Sequence, residues 1–84
     1  ALYHIYPNPV RDLLFVDIKN TMGSEQTVQM RLTNLLGNKV FEQTIKVPQG
    51  ENKVEIRLPE MSPGTYFIEL NDGLNVVRKS VVVQ

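Results

Sequence analysis

The chain has 84 residues, enough for one domain with a thin hydrophobic core. Nine Lys and Arg residues balance nine Asp and Glu residues, so the chain lacks the basic charge that nucleic-acid-binding proteins usually carry. Cysteine is absent, which excludes disulfides and thiolate metal ligands, and no apolar run approaches the ~18 residues that cross a bilayer.

Apolar and polar residues alternate with a period of two along most of the chain, and no window carries apolar residues at helical spacing. Successive side chains of a strand point to opposite faces, so each alternating stretch predicts a half-buried β-strand. We predict seven strands and no helix. In chain order the strands are 2–6, 13–19, 27–34, 39–46, 52–58, 65–71 and 74–83.

Turn residues separate these strands. Asn8-Pro9 opens a turn, Gly37-Asn38 has the glycine-first order of a two-residue type II′ hairpin, and Asp72-Gly73 predicts a second two-residue hairpin. Pro48–Gly50 breaks another pair, and 59–64 is a longer loop. Short antiparallel strands with regular turns favour a two-sheet sandwich, because a single open sheet would leave one apolar face in water.

The register of two strands stays open. In the fourth predicted strand the inward pair is either Phe41 and Ile45 or Val40 and Thr44. In the last predicted strand, Lys79 shares a face with three valines, namely Val77, Val81 and Val83. Neither pattern selects one face as purely apolar.

Residues that carry catalytic or metal chemistry are sparse. His4 is the only histidine, which we interpret as a surface or edge residue, and Asn71-Asp72-Gly73 is too short for a calcium loop. The carboxylates Asp17, Glu55 and Glu69 lie on polar strand faces, where solvated cross-strand partners are expected. No serine lies in a glycine elbow, and no glycine pattern suits a phosphate. We therefore expect no enzyme activity, metal or cofactor.

Four segments resemble one family when they are taken in this order and spacing. They are Tyr6–Val10 followed by Asp12, Leu14 and Val16; Leu35–Val40; Pro63–Ile68; and Lys79–Val83. Together they cover essentially the whole chain and resemble the type A C-terminal sorting domain of substrates of the type IX (Por) secretion system. The Tyr-Pro-Asn-Pro segment is the most specific of the four.

The resemblance implies an immunoglobulin-like antiparallel β-sandwich and one sorting domain over residues 1–84, excised from the C-terminus of a longer cargo protein. It implies that the attached N-terminal cargo reaches the periplasm of a Gram-negative bacterium and that the translocon then recognises this domain. A surface sortase then cuts the domain off, leaving the cargo at the cell surface or outside. Ala1 begins no leader pattern, so the export signal is expected elsewhere. No nucleic acid or small-molecule substrate is implied.

The candidate sorting residues come from the matching segments: Pro7, Asn8, Pro9, Gly37, Gly64, Tyr66, Lys79, Val81 and Val83. Pro7 and Pro9 lack an N–H, which suits a sheet edge, and the two glycines suit turns. Tyr66 is expected in the core with its hydroxyl bonded to nearby backbone. Residues 74–84 carry two positive charges and no negative one, so this last strand is the candidate surface for the export machinery.

Two alternatives remain. One is a fibronectin-like or carbohydrate-binding β-sandwich module of a secreted enzyme, which Ser62–Tyr66 favours. The chain has no Trp, however, and a sugar platform needs exposed aromatic rings. Several of the six aromatic residues are expected to fill the core instead: Tyr3, Tyr6, Phe15, Phe41, Tyr66 and Phe67. The other alternative is a structural spacer beside a catalytic domain.

Overall fold

The alternating segments form seven β-strands, and the computed structural model, which describes residues 2–84, contains no helix over that range. Consequently none of these residues forms a helix long and apolar enough to cross a membrane. All seven predicted strands are confirmed, and the largest shifts in their bounds are at the starts of β5 and β7. The strands are β1 (Leu2–Tyr6), β2 (Leu13–Asn20), β3 (Gln26–Thr33), β4 (Lys39–Val47), β5 (Gly50–Arg57), β6 (Gly64–Asn71) and β7 (Val76–Val83).

The strands form two antiparallel sheets that face each other across one core. The three-stranded sheet has the order β1-β2-β5, and the four-stranded sheet has the order β4-β3-β6-β7. This partition is immunoglobulin-like, with β4 beside β3 rather than beside β5 as in constant-type domains. The predicted β-sandwich is confirmed, and β4 and β7 are the edge strands of the larger sheet.

The core is built from the inward faces of both sheets. It comprises Val10, Leu14, Val16, Ile18, Val28, Met30, Leu32, Ile45, Val47, Ile56, Leu58, Tyr66, Ile68, Leu70, Val81 and Val83. In β4, Ile45 is buried and Phe41 packs against the core, whereas Val40 and Thr44 are exposed. The structure therefore selects the Phe41–Ile45 register of the two that the sequence left open.

The mixed face of β7 also has a physical explanation. Lys79 lies on the same face as the buried Val81 and Val83, yet its side chain is exposed. β7 is an edge strand, where an inward-facing lysine can reach solvent around the rim of the sheet. A charge at this position also discourages edge-to-edge aggregation.

The β3–β4 turn differs from the predicted type II′ turn at Gly37-Asn38. The Gly37 N–H donates to the Asn34 carbonyl at 3.0 Å, and the Asn34 N–H donates to the Asn38 carbonyl at 3.0 Å. Leu35 and Leu36 therefore occupy the centre of the turn, and Gly37 follows them with a φ of 87°. The predicted type II′ turn is wrong because the predicted strand 27–34 includes Asn34, whereas the structure begins the turn at this residue.

The β6–β7 turn is displaced by one residue from its predicted centre. The Asp72 N–H donates to the Asn75 carbonyl at 3.2 Å, so the central pair is Gly73-Leu74 rather than Asp72-Gly73. The Asp72 carboxylate accepts the N–H of Leu74 at 2.9 Å and the N–H of Asn75 at 2.7 Å. Aspartate thus begins this turn as a side-chain acceptor, which is one of its usual roles in turns.

Candidate recognition surface

One end of the sandwich gathers the four motif segments. Gly64 at the start of β6 pairs with Val83 at the end of β7, and Phe67 pairs with Thr33 at the end of β3. Val10, just after β1, forms an isolated bridge with Val83. We call this end, formed by residues 6–12, 34–39, 58–64 and 82–84, the motif end.

At the motif end, the Asn8 side chain forms hydrogen bonds with the outer edge of β7 in the way that the backbone of a neighbouring strand would. Its carboxamide oxygen accepts the N–H of Val82 at 2.9 Å, and its amide nitrogen donates to the carbonyl of Ser80 at 3.4 Å. A backbone residue would use its own carbonyl and N–H in this way. The Asn8 side chain therefore covers part of an edge that would otherwise be open.

Val10 continues this covering with its backbone. Its N–H donates to the Val82 carbonyl at 2.8 Å, and its carbonyl accepts the N–H of Gln84 at 2.8 Å. Val10 is fully buried, whereas Pro7 and Pro9 are exposed, and the Tyr6–Pro7 and Asn8–Pro9 peptide bonds are cis. The chain thus leaves β1 of one sheet and seals the edge strand of the other.

The other half of the β7 edge is not sealed. Strand residues alternate in the direction of their backbone groups, so Val76 and Arg78 point outward as Val82 does. Neither has a backbone partner on that side among residues 2–84. Val76 is also 57% exposed. Between Val76 and Ser80, β7 therefore presents free backbone groups to which another strand could pair.

Gly64 and Tyr66, two further motif residues, lie on β6 beside the C-terminal half of β7. Gly64 and Tyr66 pair in register with Val83 and Val81, respectively, and both valines are buried. The Tyr66 hydroxyl donates to the Ser62 carbonyl at 2.6 Å, which is the expected tyrosine corner and ties down the loop before β6. The buried valines hold β7 in the sandwich and present no side chain to solvent.

Lys79 lies further along β7, opposite Ile68, and has no ion-pair partner within residues 2–84. The neighbouring cation is held differently, because the Arg78 guanidinium lies 4.1 Å from the centroid of the Phe67 ring. Gly37 lies at the motif end but in the β3–β4 turn, next to the opposite edge strand. The structure thus gathers seven of the nine candidates around the end of β7, and leaves Lys79 and Gly37 apart.

The comparison with known families decides the identity. The family described as the secretion system C-terminal sorting domain matches residues 4–84, essentially the whole chain. The chain belongs to this family. It is a type IX secretion sorting domain, and its family indicates a non-catalytic role. No curated protein and no solved structure matches the chain.

An aromatic group on the outer face of the three-stranded sheet was not anticipated for this sorting domain. The rings of Tyr6 and Phe15 stack with centroids 5.5 Å apart, and His4 lies 4.9 Å from Tyr6. The Tyr6 hydroxyl donates to Asp17 at 3.0 Å. The period-two pattern already placed Phe15 opposite its buried neighbours, so this signal was present in the sequence. Of the six aromatic residues only Tyr66 is fully in the core, and His4 is exposed as predicted.

Within residues 2–84, three groups have perturbed pKa values. A hydrogen bond from Arg31 and the charge of Lys39 lower the pKa of Glu42, and the N–H groups of Asn75 and Leu74 lower that of Asp72. Burial, and secondarily the charge of Asp72, raises the pKa of Tyr3, whose hydroxyl is buried without a hydrogen-bond partner in the described part of the chain. These shifts accompany ion pairs, turns and burial, and within residues 2–84 no cluster of three His, Asp or Glu side chains could hold a metal ion.

Proposed function

We propose that this domain is a non-catalytic signal that directs an attached N-terminal cargo protein across the outer membrane by the type IX secretion system. The supporting observation is the family match over residues 4–84. The gathering of its motif segments at one end of a complete sandwich agrees with a domain that is recognised as a folded unit.

In this proposal the cargo passes through the periplasm of a Gram-negative bacterium before the translocon binds the sorting domain. A surface sortase then cleaves the domain, and the cargo remains at the cell surface or is released. The translocon and the sortase are therefore the proposed partners, together with the covalently attached cargo.

The proposed recognition surface is β7. Between Val76 and Ser80 it offers outward backbone groups with no backbone partner within residues 2–84, to which a strand can add, and Lys79 beside them has no ion-pair partner in that range. Val81 and Val83 contribute by anchoring the strand in the core. Gly64 and Tyr66 shape the loop next to it, and Gly37 shapes the β3–β4 turn.

Pro7, Asn8 and Pro9 are proposed to act on the same strand. Asn8 bonds the C-terminal half of the β7 edge, while the two prolines add no backbone donor to this segment. The segment therefore limits strand addition to the uncovered half of β7. Recognition is thus proposed to depend on one edge of β7 that is sealed over one half and open over the other.

A carbohydrate-binding role is the second candidate, because Tyr6, Phe15 and His4 form an aromatic surface with Lys53 above it. The two rings are only partly exposed, and they already contact each other and the lysine. A thermal-shift screen against common glycans separates the two roles, since a bound ligand raises the melting midpoint. A reproducible rise of several degrees that Phe15→Ala removes would favour the sugar-binding role.

The direct test of sorting is delivery of a reporter. The domain is fused to the C-terminus of a reporter that carries a periplasmic signal peptide, and a host with the type IX system expresses the fusion. Sorting requires that the reporter reaches the cell surface only when the domain is attached.

A further inference from the structure

We propose that Leu35 and Leu36, at the tip of the β3–β4 turn, form a two-residue anchor that inserts into an apolar pocket of a folded protein of the export machinery. This proposal rests on the proposed sorting function and assigns it a second contact, separate from β7. Leu35 is 67% exposed and Leu36 is 86% exposed. Residues at the centre of a turn are usually polar or glycine, so folding does not account for this pair.

The turn that carries the two leucines is locked by its own hydrogen bonds. The Asn34 carboxamide oxygen accepts the N–H of Leu36 and the N–H of Asn38, both at 3.0 Å. Two backbone bonds between Asn34 and the far side of the turn close the same loop. A rigid turn loses little conformational freedom when it binds, which favours its use as an anchor.

The leucines contribute nothing visible to the core. Neither belongs to the buried cluster nor packs against it. Val40 follows on the same hairpin and is 39% exposed, which extends the apolar surface onto β4. Adjacent exposed apolar side chains mark an interaction site more strongly than a single one does.

The surrounding charges favour a protein pocket over a membrane surface. Lys39, the nearest cation in sequence, lies 3.5 Å from Glu42, which also contacts Arg31 at 3.2 Å. The formal net charge of the chain is zero, so the domain as a whole gains no net electrostatic attraction to anionic lipid. Two leucines at a compact tip also lack the extended apolar face of an interfacial helix.

The test compares the double variant Leu35→Asn/Leu36→Asn with Met22→Asn in the reporter fusion. Met22 is the matched control, because it is 52% exposed in the β2–β3 loop at the opposite end of the sandwich and lies outside the proposed recognition surface on β7. We expect both variants to melt within about 3 °C of the parent, since exposed substitutions cost little. Surface delivery should fall about tenfold or more for the double variant and stay at the parental level for Met22→Asn.

Parental delivery by the folded double variant would overturn the anchor while leaving the sorting function intact. Equal losses for both variants would also overturn it, because general surface polarity would then be responsible. No delivery by the parent fusion would overturn the sorting function itself. A vesicle assay separates a protein pocket from lipid: the isolated parent domain is sedimented with phosphatidylethanolamine–phosphatidylglycerol vesicles. We expect no sedimentation of the domain. Sedimentation of the parent that the double variant loses would instead assign the two leucines to lipid binding.

Discussion

Asn8 and Val82 are 74 positions apart, and the carboxamide oxygen of Asn8 accepts the backbone N–H of Val82 at 2.9 Å. This bond joins the most specific motif of the sequence to its last strand. It also crosses between the two sheets, because Asn8 follows β1 and Val82 belongs to β7. The sealed half of the β7 edge therefore depends on a side chain from the other end of the chain.

Asn8→Ala should lower the free energy of unfolding by about 0.5–1.5 kcal/mol, the usual net contribution of one hydrogen bond. Asn8→Asp keeps the acceptor oxygen for Val82 and should cost less at neutral pH. Urea denaturation followed by far-UV circular dichroism measures both. Identical urea midpoints for the alanine variant and the parent would show that the hydrogen bonds of the Asn8 side chain do not stabilise the fold.

Gly37→Ala should destabilise the domain by about 1 kcal/mol, because Gly37 has a φ of 87° that alanine adopts poorly. A Cβ at this position meets no atom within 4 Å, so the cost comes from the backbone alone. Asparagine tolerates this conformation better, and Gly37→Asn should therefore lose less. Thermal melting of the three proteins checks this order, and an alanine variant as stable as the parent would contradict it.

The Asp72 carboxylate in the β6–β7 turn should make the stability of the fold depend on pH under acidic conditions. The backbone N–H groups of Asn75 and Leu74 lower the pKa of Asp72 in the folded state. A depressed folded pKa contributes stability above the unfolded pKa of about 3.9, and this contribution is lost as the pH falls through the folded value. Asp72→Asn should thus show a smaller loss of urea midpoint between pH 7 and pH 3. Equal losses in parent and variant would exclude this role for Asp72.

The strands could be predicted from the sequence because period-two alternation reports burial directly. The central residues of the two hairpin turns were not predicted correctly, because the prediction relied on the position of glycine. It did not consider Asn34 and Asp72, whose side chains begin these turns by accepting backbone N–H groups. The partition into two sheets and the bond between Asn8 and Val82 depend on tertiary packing, which no local pattern encodes. The exposure of Lys79 follows from the edge position of β7, which the sequence left undetermined.

Lys79→Glu should leave the domain folded and reduce delivery of a fused reporter to the cell surface. An exposed, unpartnered lysine contributes little to folding, so the melting midpoint should stay close to that of the parent. Lys46→Glu is the matched control, because Lys46 is exposed on β4, the opposite edge strand. Parental delivery by folded Lys79→Glu would show that the export machinery does not read this charge.

The sorting role of the domain is measured by the location of a reporter fused to it. Two fusions that both carry a periplasmic signal peptide are compared in a host with the type IX system, one with residues 1–84 and one without them. Protease accessibility of the reporter on whole cells measures its arrival at the surface. We expect the reporter to be accessible on the surface or found in the medium only when the domain is present. A reporter that stays in the periplasm with the folded domain attached would show that the domain is not a type IX sorting signal.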